Sequence, residues 1–211
     1  MSALDTFRAA AIEWAVRGDS AASAAATELA GEVATVVLVE GVSDALAVET
    51  LAERSGRDFE RERVCVIPMG GVTNVAKFLG ILGPAGLGIR LVGLCDVDRE
   101  RHFRRALERA GLADADFFVC VEDLEDELIR ALGVDRLQEI LDAEGDLRAF
   151  RTFQNQPAQR VRPIDRQLRR FLGTTAGRKE RYARILVEAL ELPRVPRPLD
   201  ELLRLVAHGT R

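Results

Sequence analysis

The sequence predicts an α/β fold built on a sheet of about four parallel strands, with a helical pair before it and an all-helical extension after it. Three observations carry that expectation. Between residues 35 and 121, short apolar runs alternate with segments of helical period, the pattern of strands joined by right-handed crossovers. The runs are nearly continuous in apolar residues, as expected of strands covered on both faces. Two of them end in acidic clusters, TVVLVEGVSD at 35–44 and IRLVGLCDVDRE at 89–100.

The elements follow in order. Leu4, Phe7, Ala11, Trp14 and Ala15 recur with helical period over residues 3–17. Gly18-Asp19-Ser20 breaks that helix and caps a second, alanine-rich one that ends near Gly31. Strand one is expected at 35–39, with a helix over 43–55. Strand two follows at 64–67, then Pro68-Met69-Gly70-Gly71 and a helix over 74–82. Strand three is expected at 89–95 with a helix over 99–110, and strand four at 116–121. Beyond Glu122 the pattern is helical only, with helices expected at 124–132, 134–143, 147–153, 164–172, 178–190 and 199–208. Pro157, Pro163, Pro193, Pro196 and Pro198 punctuate them. The chain thus divides into N-terminal helices (1–32), a core (33–132) and a helical extension (133–211).

Composition narrows the function. A hydrophobic fraction of 47% suffices for a buried core. Charged residues make up 30% of the chain, but the net charge is -4 and the pI about 5.4, which excludes a wholly basic DNA-coating protein and leaves room for a local basic face. Cys65, Cys95 and Cys120 lie in or beside expected strands, with no CxxC and no nearby histidine. They read as small buried hydrophobes of a reducing compartment, not as a zinc ribbon or a disulfide framework. No apolar run approaches the ~18 residues of a membrane span, and residues 1–20 lack the basic start and apolar core of a signal peptide. A cytoplasmic protein without membrane contact is expected. Lysine is scarce: Lys77 and Lys179 stand against 28 arginines.

The acidic strand ends carry the chemistry. Glu40 ends strand one, Gly41 permits a tight turn, and Asp44 lies one helical turn on, facing Glu40. Asp96 and Asp98 follow strand three and point the same way if the backbone stays extended. Carboxylates at the carboxyl ends of parallel strands lie where open α/β sheets bind ligands. Four of them make a hard-oxygen site suited to Mg²⁺ or Mn²⁺. Helix capping is the competing reading of each motif taken alone. A basic cluster stands further on. Between residues 160 and 184 there are nine basic side chains against Asp165 and Glu180, a local +7 that leaves -11 for the rest. Such polarity suits a polyanion laid against one face, or a solvated arginine-rich helix pair.

Together these motifs resemble the Toprim (Rossmann-like) domain shared by topoisomerases, bacterial primases, small ribosomal-RNA maturases and nucleases of the OLD (overcoming lysogenization defect) type. Glu40, Asp96 and Asp98 stand at the positions of that family's Glu and DxD. The stretch IPMGGVTNVAKFL at 67–79 is similar to the segment after the second strand in OLD-type members, Asp44 matches the Asp of their EGxxD, and Leu124-Glu125 their later Leu-Glu pair. The resemblance is close over about 33–130 and looser to about 190. It implies a further lysine beyond the core, which Lys179 matches. Lys179 follows Gly177 at a helix start, a place suited to phosphate, and a surface lysine is the alternative.

The resemblance implies metal-dependent phosphodiester hydrolysis on nucleic acid, endonuclease- or nickase-like, with one or two Mg²⁺ or Mn²⁺ ions. Glu40, Asp44, Asp96, Asp98 and Glu125 are the expected ligands, and Glu40 and Lys179 the expected catalytic residues. Arg166, Arg169, Arg170, Arg178 and Arg181 are expected to hold a nucleic-acid backbone, DNA rather than RNA. No GxxxxGK[ST] occurs in the sequence, a departure from OLD-type proteins, which usually carry an ATPase domain. A separate ATPase subunit is therefore an expected partner. The alternative is a non-catalytic module that binds metal, nucleotide or nucleic acid beside such a partner. Lys77 reads as a surface residue, and Tyr182 as a packing residue and not a topoisomerase nucleophile.

Overall fold

The computed structural model describes residues 2–175 and 177–208, with only the backbone of His208. Its centre is one parallel sheet of β1 (Thr35–Val39), β2 (Val64–Pro68), β3 (Arg90–Asp96) and β4 (Phe117–Cys120), in the order β2-β1-β3-β4. Helices α3 (Val42–Arg54), α4 (Val75–Leu82) and α5 (Glu100–Arg109) make the three crossovers. β1 is buried at all five positions, and its β-branched side chains serve both faces.

Successive side chains of a strand point to opposite faces, and the two hydrophobic layers follow that period. Val36, Leu38, Cys65, Ile67, Leu91 and Cys95 pack on one side against α1 (Ala3–Arg17), α2 (Ser20–Leu29), α4 and α5. Val37, Val39, Val64, Val66, Val92 and Leu94 pack on the other against α3 and the C-terminal helices. Those are α6 (Leu124–Leu132), α7 (Val134–Ala143), α8 (Leu147–Gln154), α9 (Pro157–Arg160), α10 (Ile164–Leu172), α11 (Arg178–Ala189) and α12 (Arg197–His208). The C-terminal helices thus complete the core. α11 lies along α3, and α12 covers β3 and β4. The Arg54 side chain joins the α3–α11 pair by donating from Nη1 to the Val187 carbonyl at 2.6 Å. All three cysteines are buried thiols. Among the described residues no helix is long and apolar enough to cross a membrane.

Local chemistry accounts for the helix ends. Ser2 and Asp5 form a reciprocal capping box on α1, Asp19 caps α2 through the Ala22 N–H, and Asp123 caps α6 through the Asp126 N–H. Two expectations need correction. Pro157 opens a short helix, α9, where only a break was expected, because a first-turn proline has no N–H to leave unsatisfied. For the same reason α12 begins at Arg197 and carries Pro198 in its first turn, two residues before the expected start.

Gly93 is the tightest point of the sheet. A Cβ there would lie 2.6 Å from the Leu38 carbonyl oxygen and would run into the Phe117 ring. Gly93→Ala is expected to lower stability by about 1–3 kcal/mol, the usual cost of overpacking. At Gly80 in α4 an added Cβ meets nothing within 4 Å, so Gly80→Ala is expected to raise stability by about 0.5–1 kcal/mol. Urea unfolding of both variants checks this. An unchanged midpoint for Gly93→Ala would contradict the packing described.

Candidate active site

The strand order reverses direction between β1 and β3, and at such a switch point the carboxyl ends of the strands leave a crevice. Glu40 follows β1 and Asp96 ends β3 beside that crevice. The register pairs Leu38 with Gly93, so the two acids emerge next to one another. The Asp96 N–H donates to Glu40 Oε1 at 3.2 Å. From the other side, the Gly71 N–H donates to the Glu40 carbonyl at 3.0 Å. Gly70 and Gly71 have φ of 70° and 114°, a region that glycine enters without strain. The glycine pair thus turns the chain and holds the Glu40 backbone. Asp44 stands in the first turn of α3, where its Oδ2 accepts the Gly41 N–H at 2.8 Å. Its capping role is realised, and it uses one carboxylate oxygen.

These acids raise one another. The Asp96 carboxyl is pushed up to about 8, first by burial and then by Glu40, Asp44, Asp123 and Glu125. Glu125, buried in the first turn of α6, is pushed up to about 7, chiefly by burial and further by Asp44 and Asp123, against the pull of Lys179. Glu40 is raised by burial, opposed by the Asp96 N–H and reinforced by Asp44 and Asp98. Burial likewise raises Asp44, against Lys179. Asp98 sits at the margin, its side chain 63% exposed and 3.4 Å from Arg99 Nε.

Among the described residues, no three His, Cys, Asp or Glu side chains converge closely enough to hold a metal ion as they stand. The donor chemistry nevertheless suits a hard cation: every donor is a carboxylate oxygen, and their mutual repulsion is what a divalent ion would relieve.

Lys179 projects from the first turn of α11, and its Nζ lies 3.2 Å from Glu125 Oε1. Burial works against its ammonium, but Glu125, Asp44 and Asp123 outweigh it and hold the pKa above its ordinary value. The lysine expected beyond the core is thus delivered to the acids. A cleft of about 610 Å³ opens beside it, lined by Glu122, Asp123, Glu125, Arg162, Arg166, Arg169, Arg170, Gly173 and Lys179. Three of the five arginines expected to bind nucleic acid therefore share one wall with the lysine. Arg178 and Arg181 lie elsewhere. Arg178 stacks over the Phe171 ring at 4.1 Å and reaches Asp146 at 3.6 Å, and Arg181 also pairs with Asp146. Tyr182 is buried and donates to Asp146 Oδ2 at 2.8 Å, so Asp146 anchors α11 to the start of α8. Lys77 and His102 are exposed.

Sequence reasoning passed over Glu122 and Asp123, which lie between β4 and α6. Asp123 acts on Asp44, Asp96 and Glu125 alike, and its Oδ2 lies 2.6 Å from Arg169 Nη2. Glu122 adopts a φ of 124°, a conformation that costs a non-glycine residue roughly 1–3 kcal/mol. It receives both Arg166 and Arg169. The acidic run VEDLEDE at 121–127, directly after a strand, was the available signal.

Comparison with known proteins bears on the fold. Residues 33–98 match the family model of the TOPRIM domain of overcoming lysogenization defect protein-like proteins. No curated protein matches the chain. Among solved structures, the C-terminal region of the Burkholderia pseudomallei OLD protein superposes with a TM-score of 0.65 at 20% identity, over 85% of this chain and 99% of that one. The C-terminal region of the Xanthomonas campestris pv. campestris OLD protein, phased with platinum, gives a TM-score of 0.66 at 24% identity, over 84% of this chain and 94% of that one. Its mercury-phased counterpart gives 0.65 at 24% identity, over 84% and 96%. At these identities the likeness establishes the fold. Residues 33–98 are therefore similar to the OLD-like TOPRIM domain, within a chain folded like the C-terminal region of OLD proteins.

Proposed function

We propose that this protein hydrolyses phosphodiester bonds of nucleic acid with the help of a divalent cation, as an endonuclease or nickase, with DNA as the favoured substrate. One observation carries the reading: Glu40 and Asp96 meet at adjoining strand ends, Asp96 feels Glu40, Asp44, Asp123 and Glu125, and three of those, Asp44, Asp123 and Glu125, also act on Lys179, whose Nζ lies 3.2 Å from Glu125 Oε1. Acids that repel one another beside a held ammonium make a place for cations and a phosphate together. Glu40, Asp44, Asp96, Asp98 and Glu125 would hold one or two Mg²⁺ or Mn²⁺ ions. Such an ion supplies charge to the phosphate and acidifies an attacking water.

The chain's own groups have separable tasks. Lys179 stays charged at neutral pH, so it stabilises charge on the phosphate or protonates the leaving oxygen, and does not act as a base. Glu125, buried and 3.2 Å from the Lys179 ammonium at Oε1, ties that lysine to the acids. Arg166, Arg169 and Arg170 line the cleft beside Lys179, where they would contact backbone and leave sequence unread. The likeness of residues 33–98 to OLD-type proteins, which usually carry an ATPase domain, is what supports an ATPase as a partner in this proposal.

Incubation of supercoiled plasmid with the protein and Mn²⁺ tests the reading. Nicking is expected, with Asp96→Ala and Lys179→Ala each slower by about 10²-fold or more. Equal cleavage by all three proteins, or none by the wild type, would sink it. The second reading is a module that binds cation and nucleic acid without turnover; among the described residues no three carboxylates are gathered closely enough to hold an ion as they stand. Heat released on calorimetric titration with Mn²⁺, with no nicking, would select that second reading.

The shifted carboxyls give a pH dependence of fixed sign. Folding raises Asp96 to about 8 from 3.8, so the folded state keeps a proton that the unfolded state has lost. Stability therefore falls as pH rises between those values. Asp96→Asn removes this loss. Its melting temperature is expected to exceed that of the cation-free wild type by a margin that widens from about pH 5 to about pH 8 and then levels. Mn²⁺ is expected to restore the wild type at the alkaline end. Parallel melting profiles for the two proteins would rule out the coupled-carboxylate site.

A further inference from the structure

The cleft beside Lys179 is lined by four arginines and one lysine against three acids, and one of those acids, Glu122, has the strained backbone. Arg166 grips Glu122 with both terminal nitrogens, the bidentate fork by which guanidinium also holds phosphate. Arg169 Nη1 reaches the same Glu122 Oε2 at 2.5 Å, so one carboxylate oxygen is shared by two guanidinium groups. None of this is sealed: the side chains of Glu122, Arg166 and Arg169 are 35%, 38% and 31% exposed. Arg162 and Arg170, on the same wall, are exposed, and neither forms an ion pair among the described residues.

A salt bridge built only to fasten α10 to the loop after β4 would not call for a backbone conformation that a glutamate avoids. An anion drawn out to meet two arginines would. We infer that Glu122 occupies, from within the chain, the place that a backbone phosphate of nucleic acid takes on Arg166 and Arg169, with Arg162 and Arg170 receiving the neighbouring phosphate. This deepens the proposed function by naming the phosphate site and its built-in competitor. A diester phosphate offers the same pair of acceptor oxygens as the carboxylate. It brings no backbone strain with it, and its counterion release adds to its grip. Binding then swings Glu122 out of the fork.

The test uses a short fluorescein-labelled DNA duplex, anisotropy and EDTA, so that no cleavage contributes. Glu122→Gln keeps the side chain's size and removes its charge. It is expected to bind the duplex about 3–10-fold more tightly, with a log–log salt slope steeper by about one. Arg166→Gln combined with Arg169→Gln is expected to weaken binding by about 10-fold or more and to flatten the slope. Thermal melts run beside them separate the alternative of a plain structural clamp, which predicts a lower melting temperature for Glu122→Gln with unchanged affinity. That outcome, or duplex binding indifferent to all three substitutions, overturns the inference. Nuclease failure with tighter binding by Glu122→Gln leaves it standing, and active nuclease with unchanged binding removes it alone.

Discussion

The hydrogen bond from the Asp96 amide to the Glu40 carboxylate is the constraint on which the site depends. It joins the ends of the two central strands at the one place where the strand order reverses. A parallel ladder delivers both residues there because β1 and β3 run in register, and Gly93 lets the strands approach. The bond also holds the Glu40 carboxylate beside a second acid. Without that tether, two repelling carboxylates would turn apart into water. The sheet therefore supplies position, while burial supplies the repulsion that makes the position useful.

The helical layers complete what the strands begin. β-strands alone bring only acids to the crevice. The cations come from far along the chain, on α10 and α11, and they arrive because those helices bury Leu168, Phe171, Leu172, Leu186 and Val187 in the same core as Val37 and Val92. Hydrophobic packing, which has no interest in charge, thus sets the distance between Lys179 and Glu125. Asp146 keeps that arrangement in place by collecting Arg178, Arg181 and the Tyr182 hydroxyl at the start of α8.

Much of this was legible in the sequence, for identifiable reasons. Continuous apolar runs located all four strands, and helical period located the α-helices beyond 120 except α9, whose four residues are too few to show a period, as are the three of the 3-10 turn at Leu192–Arg194. Glu40, Asp44 and Asp96 were readable because a strand end fixes where the next residues go. The fate of the arginines was not. Arg166, Arg169, Arg178 and Arg181 look alike in sequence, yet two face the cleft and two are taken up by Asp146, because helix rotation and long-range partners decide. Asp123 and Glu122 escaped for the same reason. Their meaning lies in contacts across more than 40 residues of chain.

The pairing of α3 with α11 has a mechanical consequence. Asp44 rides on one helix of that pair and Lys179 on the other, and the two are joined along their length by Leu51, Leu186 and Val187 and by the Arg54 clasp. They stand like the two jaws of a calliper whose gap is set by buried packing. Opposite them stand Asp98, exposed just past β3, and Glu122, held by arginines of α10. On the proposed function, a nucleic-acid strand would meet a helix pair fastened by buried packing on one side and half-exposed charged side chains on the other.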